Sequence, residues 1–279
     1  MTGKPEASLL VAACEQIQFL RRTLLGLVRQ SFGDFETIIC EDGSDPGVRK
    51  LAEGFGSRLP GGISHVWQED EGFRKCRILN EGICRSSSDY LIFLDADCIP
   101  HARFVEGHIS ERERGRFLAG RRVMLGAGMT AGLADDYVSN GHLDRLWMTG
   151  TPKALSGKLR HYGAGVFFPK WLNSLVAGGN IHITGCNFSC WKSDMQAING
   201  FNEDFVTPGG GEDTDIERRF LLSGLNSRSV KHRAVCYHQY HAAASRSASS
   251  KLYRRLAGEG EIQCARGLNL HKSKWSRTA

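Results

Sequence analysis

No apolar run in this chain approaches the roughly 20 residues needed to cross a bilayer. The polar opening Met1–Glu6 leads only into the short apolar stretch Ser8–Ala13. Neither a signal peptide nor a membrane span is expected, and the sequence reads as cytoplasmic. Internal repeats and low-complexity segments are absent, which excludes solenoid, collagen-like and disordered chains. So are a G-x-x-x-x-G-K-[ST] phosphate loop and a Gly-x-Ser-x-Gly elbow, the marks of one large class of triphosphatases and of a common class of hydrolases. The nine cysteines are odd in number and lie mostly in apolar runs, Cys40 and Cys236 among them. Cys186 and Cys190 have no second pair at zinc-site spacing. Reduced thiols are expected, rather than a disulfide framework or a metal at that pair.

What is present is an ordinary globular composition of 41% hydrophobic, 24% charged and 9% aromatic residues, enough to bury a sizeable core. The net charge of +6 hides an asymmetry: from Asn226 onward there are eleven Lys and Arg against Glu259 and Glu261, so the rest is net acidic. A basic field spanning the whole molecule is therefore lacking, and nucleic acid is not expected as a partner.

The first 110 residues alternate between two periods. Ser8–Ala13, Phe35–Glu41, Ile63–Gln68 and Tyr90–Leu94 read as strands. Between them, Phe19, Leu20, Leu24, Leu25 and Val28 repeat at helical spacing, as do Val48–Phe55 and then Ile78, Leu79 and Ile83. Near-continuous apolar strands alternating with helices imply an α/β fold, a doubly wound and mostly parallel sheet covered on both faces. Such sheets bind ligands beyond the carboxyl ends of their strands. Three acidic turns fall there: Glu41-Asp42-Gly43-Ser44, Glu69-Asp70-Glu71-Gly72 and Asp95-Ala96-Asp97. Carboxylates gathered at one edge repel one another unless a cation or a donor-rich ligand joins them.

From Arg116 to Asn180 the periodicity weakens, consistent with an insertion over the site or with loops. Order returns at Gly185–Trp191 and at Asn199–Phe205, and Pro208-Gly209-Gly210-Gly211 then runs into Glu212-Asp213 and an amphipathic helix.

Asp95-x-Asp97, closing an apolar strand, offers two oxygens to a hard cation such as Mg2+ or Mn2+. Such a cation neutralises charge on a departing diphosphate. Glu212 and Asp213 stand in a first helical turn, where acids favour the helix dipole, or else one of these carboxylates on a flexible loop serves as a general base toward an acceptor hydroxyl. Asp215, Glu217, Arg218 and Arg219 read as a solvated charged face. His238 and His241, following a strand, are either polar surface groups or imidazole ligands to the same cation. Gly126–Ala131 matches the dinucleotide fingerprint, but no further strand–helix–strand pattern follows it, so it is read as a chance match.

These segments, FETIICEDGS, HVWQEDEGFRKCRILNEGI, DYLIFLDADCIP, GCNFSCW, INGFNEDF, GGEDTDIERRFLLSG and CYHQYH, resemble a family 2 glycosyltransferase of the GT-A fold over roughly Ser8 to His241. The last four look like the C-terminal half of β-1,4-galactosyltransferases and bacterial chondroitin-polymerase-like enzymes. The resemblance implies that Asp42 contacts uracil and that the stretch from Asp70 through Arg74 to Asn80 helps hold the nucleotide. Asp95 and Asp97 would hold ribose and metal-bound diphosphate, and His238 and His241 would complete the metal shell with Asp97. Glu212 and Asp213 would meet the acceptor, with Asp213 as the base. Three departures stand out: Ala12-Ala13-Cys14-Glu15 replaces a frequent Pro-Thr-Tyr-Asn, Glu41 replaces an aspartate, and Thr207–Gly211 lacks the tryptophan that galactosyltransferases stack on an acceptor sugar.

The expectation is an inverting transferase that uses Mn2+ or Mg2+ to move a sugar from UDP to a glycan or lipid-linked glycan acceptor, in bacterial surface polysaccharide assembly. The rivals are a nucleotidyltransferase, which needs a triphosphate cradle that Ser8–Gln16 does not offer, and an inactive nucleotide-sugar-binding module. Residues 1–110 would bind the nucleotide sugar, 111–245 the acceptor, and 246–279 would form a basic tail. In that tail Lys251, Arg254, Arg255, Arg266, Lys272 and Lys274 alternate with Leu252, Tyr253, Leu256, Ile262 and Trp275, a pattern suited to an anionic membrane surface.

Overall fold

The structure, a computed structural model, describes residues 3–14, 16–43, 46–149, 159–176, 181–209, 211–242 and 247–271. Met1, Glu15, Ser44, Asn180, Gly210, Lys272, Lys274 and Trp275, which the sequence reading used, lie outside them. The N-terminal alternation is realised as β1 (Ala7–Ala13), α1 (Ile17–Val28), β2 (Phe35–Asp42), α2 (Pro46–Phe55), β3 (Ile63–Gln68), α3 (Lys75–Arg85) and β4 (Tyr90–Asp95). After the short β5 (Cys98–Pro100) come α4 (Phe104–Glu111), β6 (Arg116–Ala119), β7 (Arg121–Leu125), β8 (Leu159–Arg160), β9 (Asn187–Trp191), β10 (Asn226–Ser229) and β11 (Val235–His238).

Seven strands form one sheet in the order β10-β6-β9-β4-β1-β2-β3. β3, β2, β1 and β4 run parallel, β9 is antiparallel between β4 and β6, and β10 is parallel to β6. Alternate side chains explain why both faces of the sheet are buried. Leu9, Val11, Ile39, Ile92 and Leu94 point into one core with Leu20, Leu24 and Leu27 of α1. Leu10, Ile38, Leu91 and Phe93 point into another with Ile78, Leu79 and Ile83 of α3 and with Phe188 and Phe220. The mostly parallel, doubly covered sheet of the sequence reading is therefore present.

A second sheet of four strands, β5-β11-β7-β8, abuts the first. The segment from Arg116 therefore contributes strands to both sheets. Strands of four and two residues are too short to show a period, which is why the sequence pattern was silent there.

Two further readings change. Asp215 and Arg219 are not a solvated face: their ion pair of 2.8 Å is buried, each side chain only 1% exposed. Arg219 also donates from Nη1 to the carbonyls of Ile198 and Gly200. Glu217 is buried too, accepting from the Ile183 backbone N–H at 2.7 Å. In the C-terminal region, Ser247–Glu259 is a helix that lays Leu252, Tyr253 and Leu256 against the second core. Those three side chains are committed to the fold. Lys251, Arg254, Arg255 and Arg266 remain exposed.

Candidate active site

Four elements bring carboxylates to the carboxyl edge of the main sheet. β2 ends in Asp42, β4 in Asp95, the turn into β5 carries Asp97, and the helix Glu212–Leu222 starts with Glu212 and Asp213. The Asp95-Ala96-Asp97 turn is pinned from both sides. The Ala96 N–H donates to the Ala12 carbonyl at 2.8 Å, and Thr23 Oγ1 donates to the Ala96 carbonyl at 2.7 Å. A cavity of about 460 Å3 opens here, walled by Ala12, Ala13, Asp42, Lys75, Asp95 and Asp97, with His241 at its margin.

The two aspartates of Asp95-x-Asp97 part company. Lys75, at the start of α3, places Nζ 2.7 Å from Asp95 Oδ1. Asp97 instead turns Oδ2 toward His238 Nε2 at 3.1 Å and His241 Nε2 at 2.9 Å. The two aspartates expected to present oxygens to one cation thus have different neighbours, a lysine for Asp95 and two histidines for Asp97. Burial would raise the Asp97 carboxyl, but its hydrogen bonds to His238 and His241 outweigh burial and hold it below the usual carboxylate range. The same bond raises His241.

The donor set is compact enough for a divalent cation. One oxygen of Asp97 and one nitrogen each of His238 and His241 lie within 4.8 Å of one another. His241 Nδ1 is 3.0 Å from the Ala242 carbonyl. With its proton on that nitrogen, Nε2 keeps a lone pair for a cation, the usual outer support of a metal-ligating histidine. Carboxylate oxygen suits Mg2+ or Mn2+, and two imidazoles shift the preference toward Mn2+. The residues fit such an ion.

Asp213 sits deeper. The Gly185 N–H donates to its Oδ2 at 2.8 Å, and a Cβ at Gly185 would meet Oδ1 at 2.2 Å, so only glycine allows this approach. Burial first, then the neighbouring Glu212, raise the Asp213 carboxyl to about 7. Glu212 is itself buried, accepting from the Gly211 N–H at 2.9 Å. Burial pulls the Lys75 ammonium down, but Asp95, Asp213 and Glu212 together raise it well above the ordinary lysine value. Lys75 and Gly185 were not singled out in the sequence; a lone lysine opening a helix among acidic turns was the available signal.

Asp42 accepts from Gln68 Nε2 at 2.8 Å and from the Arg74 backbone N–H at 2.6 Å. Burial nonetheless leaves its carboxyl raised. Of the other expected nucleotide contacts, Asp70 and Arg74 lie near enough to Asp42 to act on its charge. Asp70 is exposed and closes its own turn, accepting from the Gly72 N–H at 2.9 Å. The Arg74 side chain lines a separate cavity of about 690 Å3 with Glu71, Arg77, Glu203 and Asp204. Asn80 is fully buried, donating to the Phe201 carbonyl and to Glu203 and accepting from the Phe201 N–H. It fastens α3 to the loop ahead of the helix Glu212–Leu222.

Residues 8–156 match the profile described as glycosyl transferase family 2, which is more than half of the chain. The chain belongs to this family. Residues 179–242 match a second profile, described as the N-terminal domain of galactosyltransferase. The chondroitin synthase of Escherichia coli is 25% identical over 245 residues, covering 83% of this chain and 34% of the relative. This family 2 chain thus spans about a third of that protein's length. Among solved structures, Staphylococcus aureus TarS 1–349 in complex with UDP superposes with a TM-score of 0.59 at 12% identity, over 98% of this chain and 70% of that one. A Pyrobaculum calidifontis mannosyltransferase in complex with GDP-Man and Mn2+ gives 0.53 at 15% identity, over 85% and 58%. These likenesses establish the GT-A fold.

Proposed function

We propose that this family 2 chain is an inverting glycosyltransferase that takes its sugar from a UDP donor with the help of Mn2+ or Mg2+. The observation that carries the reading is the charge of the cleft. Five carboxylates, Asp42, Asp95, Asp97, Glu212 and Asp213, outnumber the Lys75 and Arg122 cations beside them, so a nucleoside diphosphate, itself anionic, would bind best together with a cation. Asp97, His238 and His241 would hold that cation, which neutralises the diphosphate as it leaves. Asp42, beyond β2, is placed for the base, and Asp95 for the ribose. Asp213, at about 7, accepts the proton of the acceptor hydroxyl as that oxygen attacks the anomeric carbon. Lys75 keeps Asp95 and Asp213 from repelling the incoming diphosphate. Glu212 contacts the acceptor beside the base. One base and one displacement invert the anomeric centre.

The acceptor is a glycan, free or lipid-linked, of the bacterial surface; the chondroitin synthases among the relatives support a growing polysaccharide. The exposed Lys251, Arg254, Arg255 and Arg266 supply a basic patch for an anionic membrane surface. Among the described residues no helix is long and apolar enough to cross a membrane. UDP release from a panel of UDP-sugars, with and without Mn2+ and glycan acceptors, tests the reading. Release that needs both Mn2+ and an acceptor supports it, and silence across the panel contradicts it.

A further inference from the structure

Three of the nine cysteines converge where the two sheets meet. Cys98 opens β5, Cys186 immediately precedes β9, and Cys236 lies in β11. All three are 0% exposed, and their sulfurs lie within 4.8 Å of one another. The sequence hid this cluster, because the three residues are far apart in the chain and no pair has metal-site spacing.

Buried cysteines usually behave as small apolar groups. These have polar partners instead: the Cys98 and Cys236 thiols donate to Asp97 Oδ1 at 3.1 Å and to the Arg121 carbonyl at 3.7 Å, and N–H donors also reach Cys186 and Cys236. Arg122 Nη1 is 3.2 Å from Cys186 Sγ, and Asn187 Nδ2 is 3.5 Å from Cys236 Sγ. Arg122 stands opposite Cys236 in the β7–β11 pairing, so its cation is built into the site. We infer that Cys98, Cys186 and Cys236 form a second metal site, distinct from the Asp97–His238–His241 set, that takes a thiophilic divalent cation, Zn2+ by preference.

Charge selects the divalent ion. Zn2+ and the Arg122 guanidinium supply +3 against three thiolates, with the Asp97 carboxylate 3.1 Å from Cys98 Sγ adding a further negative charge, so a monovalent copper ion would leave the larger uncompensated charge in the core. Size agrees as well. Zinc–sulfur bonds of about 2.3 Å in a tetrahedron put sulfurs roughly 3.8 Å apart, within the 4.8 Å that bounds the three sulfurs here. Loading is an ion exchange: each thiol that loses its proton forms a Zn–S bond, and the protons leave to solvent. The ion ties β5, β9 and β11 together one residue from Asp97 and two from His238, and so steadies the catalytic donor set.

The test is Co2+ and Zn2+ binding to the full chain, with no sugar substrate present. Co2+ is expected to give a sulfur-to-cobalt charge-transfer absorption, and about one equivalent of Zn2+ should displace it and raise the Tm. Cys186→Ser should weaken Zn2+ binding by more than about tenfold, the loss that removing even an outer partner can cost. His241→Ala should leave the cobalt–sulfur absorption intact. The wild-type titration alone stays decisive if the Cys186 variant fails to fold. No sulfur-to-cobalt absorption in the reduced wild-type chain, an absorption unmoved by Cys186→Ser, or a disulfide joining two of the three would each overturn the assignment.

Discussion

Burial and Glu212 push the Asp213 carboxyl up to about 7, nearly the pH at which a transferase works, so its proton comes off easily and returns usefully. Turnover should therefore rise as pH increases through about 7 and level off above it. Asp213→Asn keeps the shape but cannot take a proton, so kcat should fall roughly 10²–10⁴-fold while UDP affinity stays near wild type. Stability moves the other way. A carboxylate whose folded pKa lies above its unfolded value favours folding below the unfolded pKa and loses that contribution as pH rises through about 7. Asp213→Asn should accordingly melt no lower than wild type at pH 8, which calorimetry checks. Gly185→Ala drives a methyl into the Asp213 carboxylate. It should lower kcat without weakening UDP binding; unchanged kcat would show that Asp213 works from another position.

The helix Glu212–Leu222 connects the site to the core through one element. Its first turn brings Glu212 and Asp213 to the carboxyl edge of the main sheet, while the next holds the buried Asp215–Arg219 pair and anchors it to the Ile198 and Gly200 carbonyls. Removing one partner leaves a charge buried without its counter-ion, so Asp215→Ala should cost about 3–5 kcal/mol in urea unfolding. A loss within about 0.5 kcal/mol, as at an ordinary surface site, would mean the pair is solvated after all. This helix also marks where the sequence stops being legible. Its start and its acidic turn are written in Gly211-Glu212-Asp213. Which side faces inward is not, because Arg219 and Glu217 are polar residues made core residues by Ile198, Gly200 and Ile183, distant in the chain, and Asp215 is buried as the local partner of Arg219. The strand β4 and the helices α1 and α3 were legible for the opposite reason: their own apolar periodicity decides their burial.

At the scale of the whole molecule, one twisted sheet sets out Asp42 and Asp95 from adjoining strand ends, and a second small sheet brings His238 back to Asp97 by pairing β11 with β5. The first arrangement follows from the alternation of strands and helices in the first 110 residues. The acidic turns and His238-x-x-His241 were visible as chemistry, but the separation of Asp95 toward Lys75 from Asp97 toward the histidines depends on the tight turn after β4. The cysteine cluster depends on three-strand packing that no local pattern records. The C-terminal helix belongs to this scale too. It covers the second core with Leu252, Tyr253 and Leu256, so a chain ending at residue 245 should unfold at a lower temperature than the full chain.

The cation dependence of nucleotide binding tests the account most directly. Calorimetric titration of UDP into the full chain should show clear binding in Mn2+ and a loss of most of that affinity in EDTA. Asp97→Ala in Mn2+ should fall to the EDTA level, and in EDTA it should match the wild type. Equal UDP affinity with Mn2+ and with EDTA, or an Asp97→Ala variant that keeps the full Mn2+ gain, would contradict a cation held by Asp97, His238 and His241.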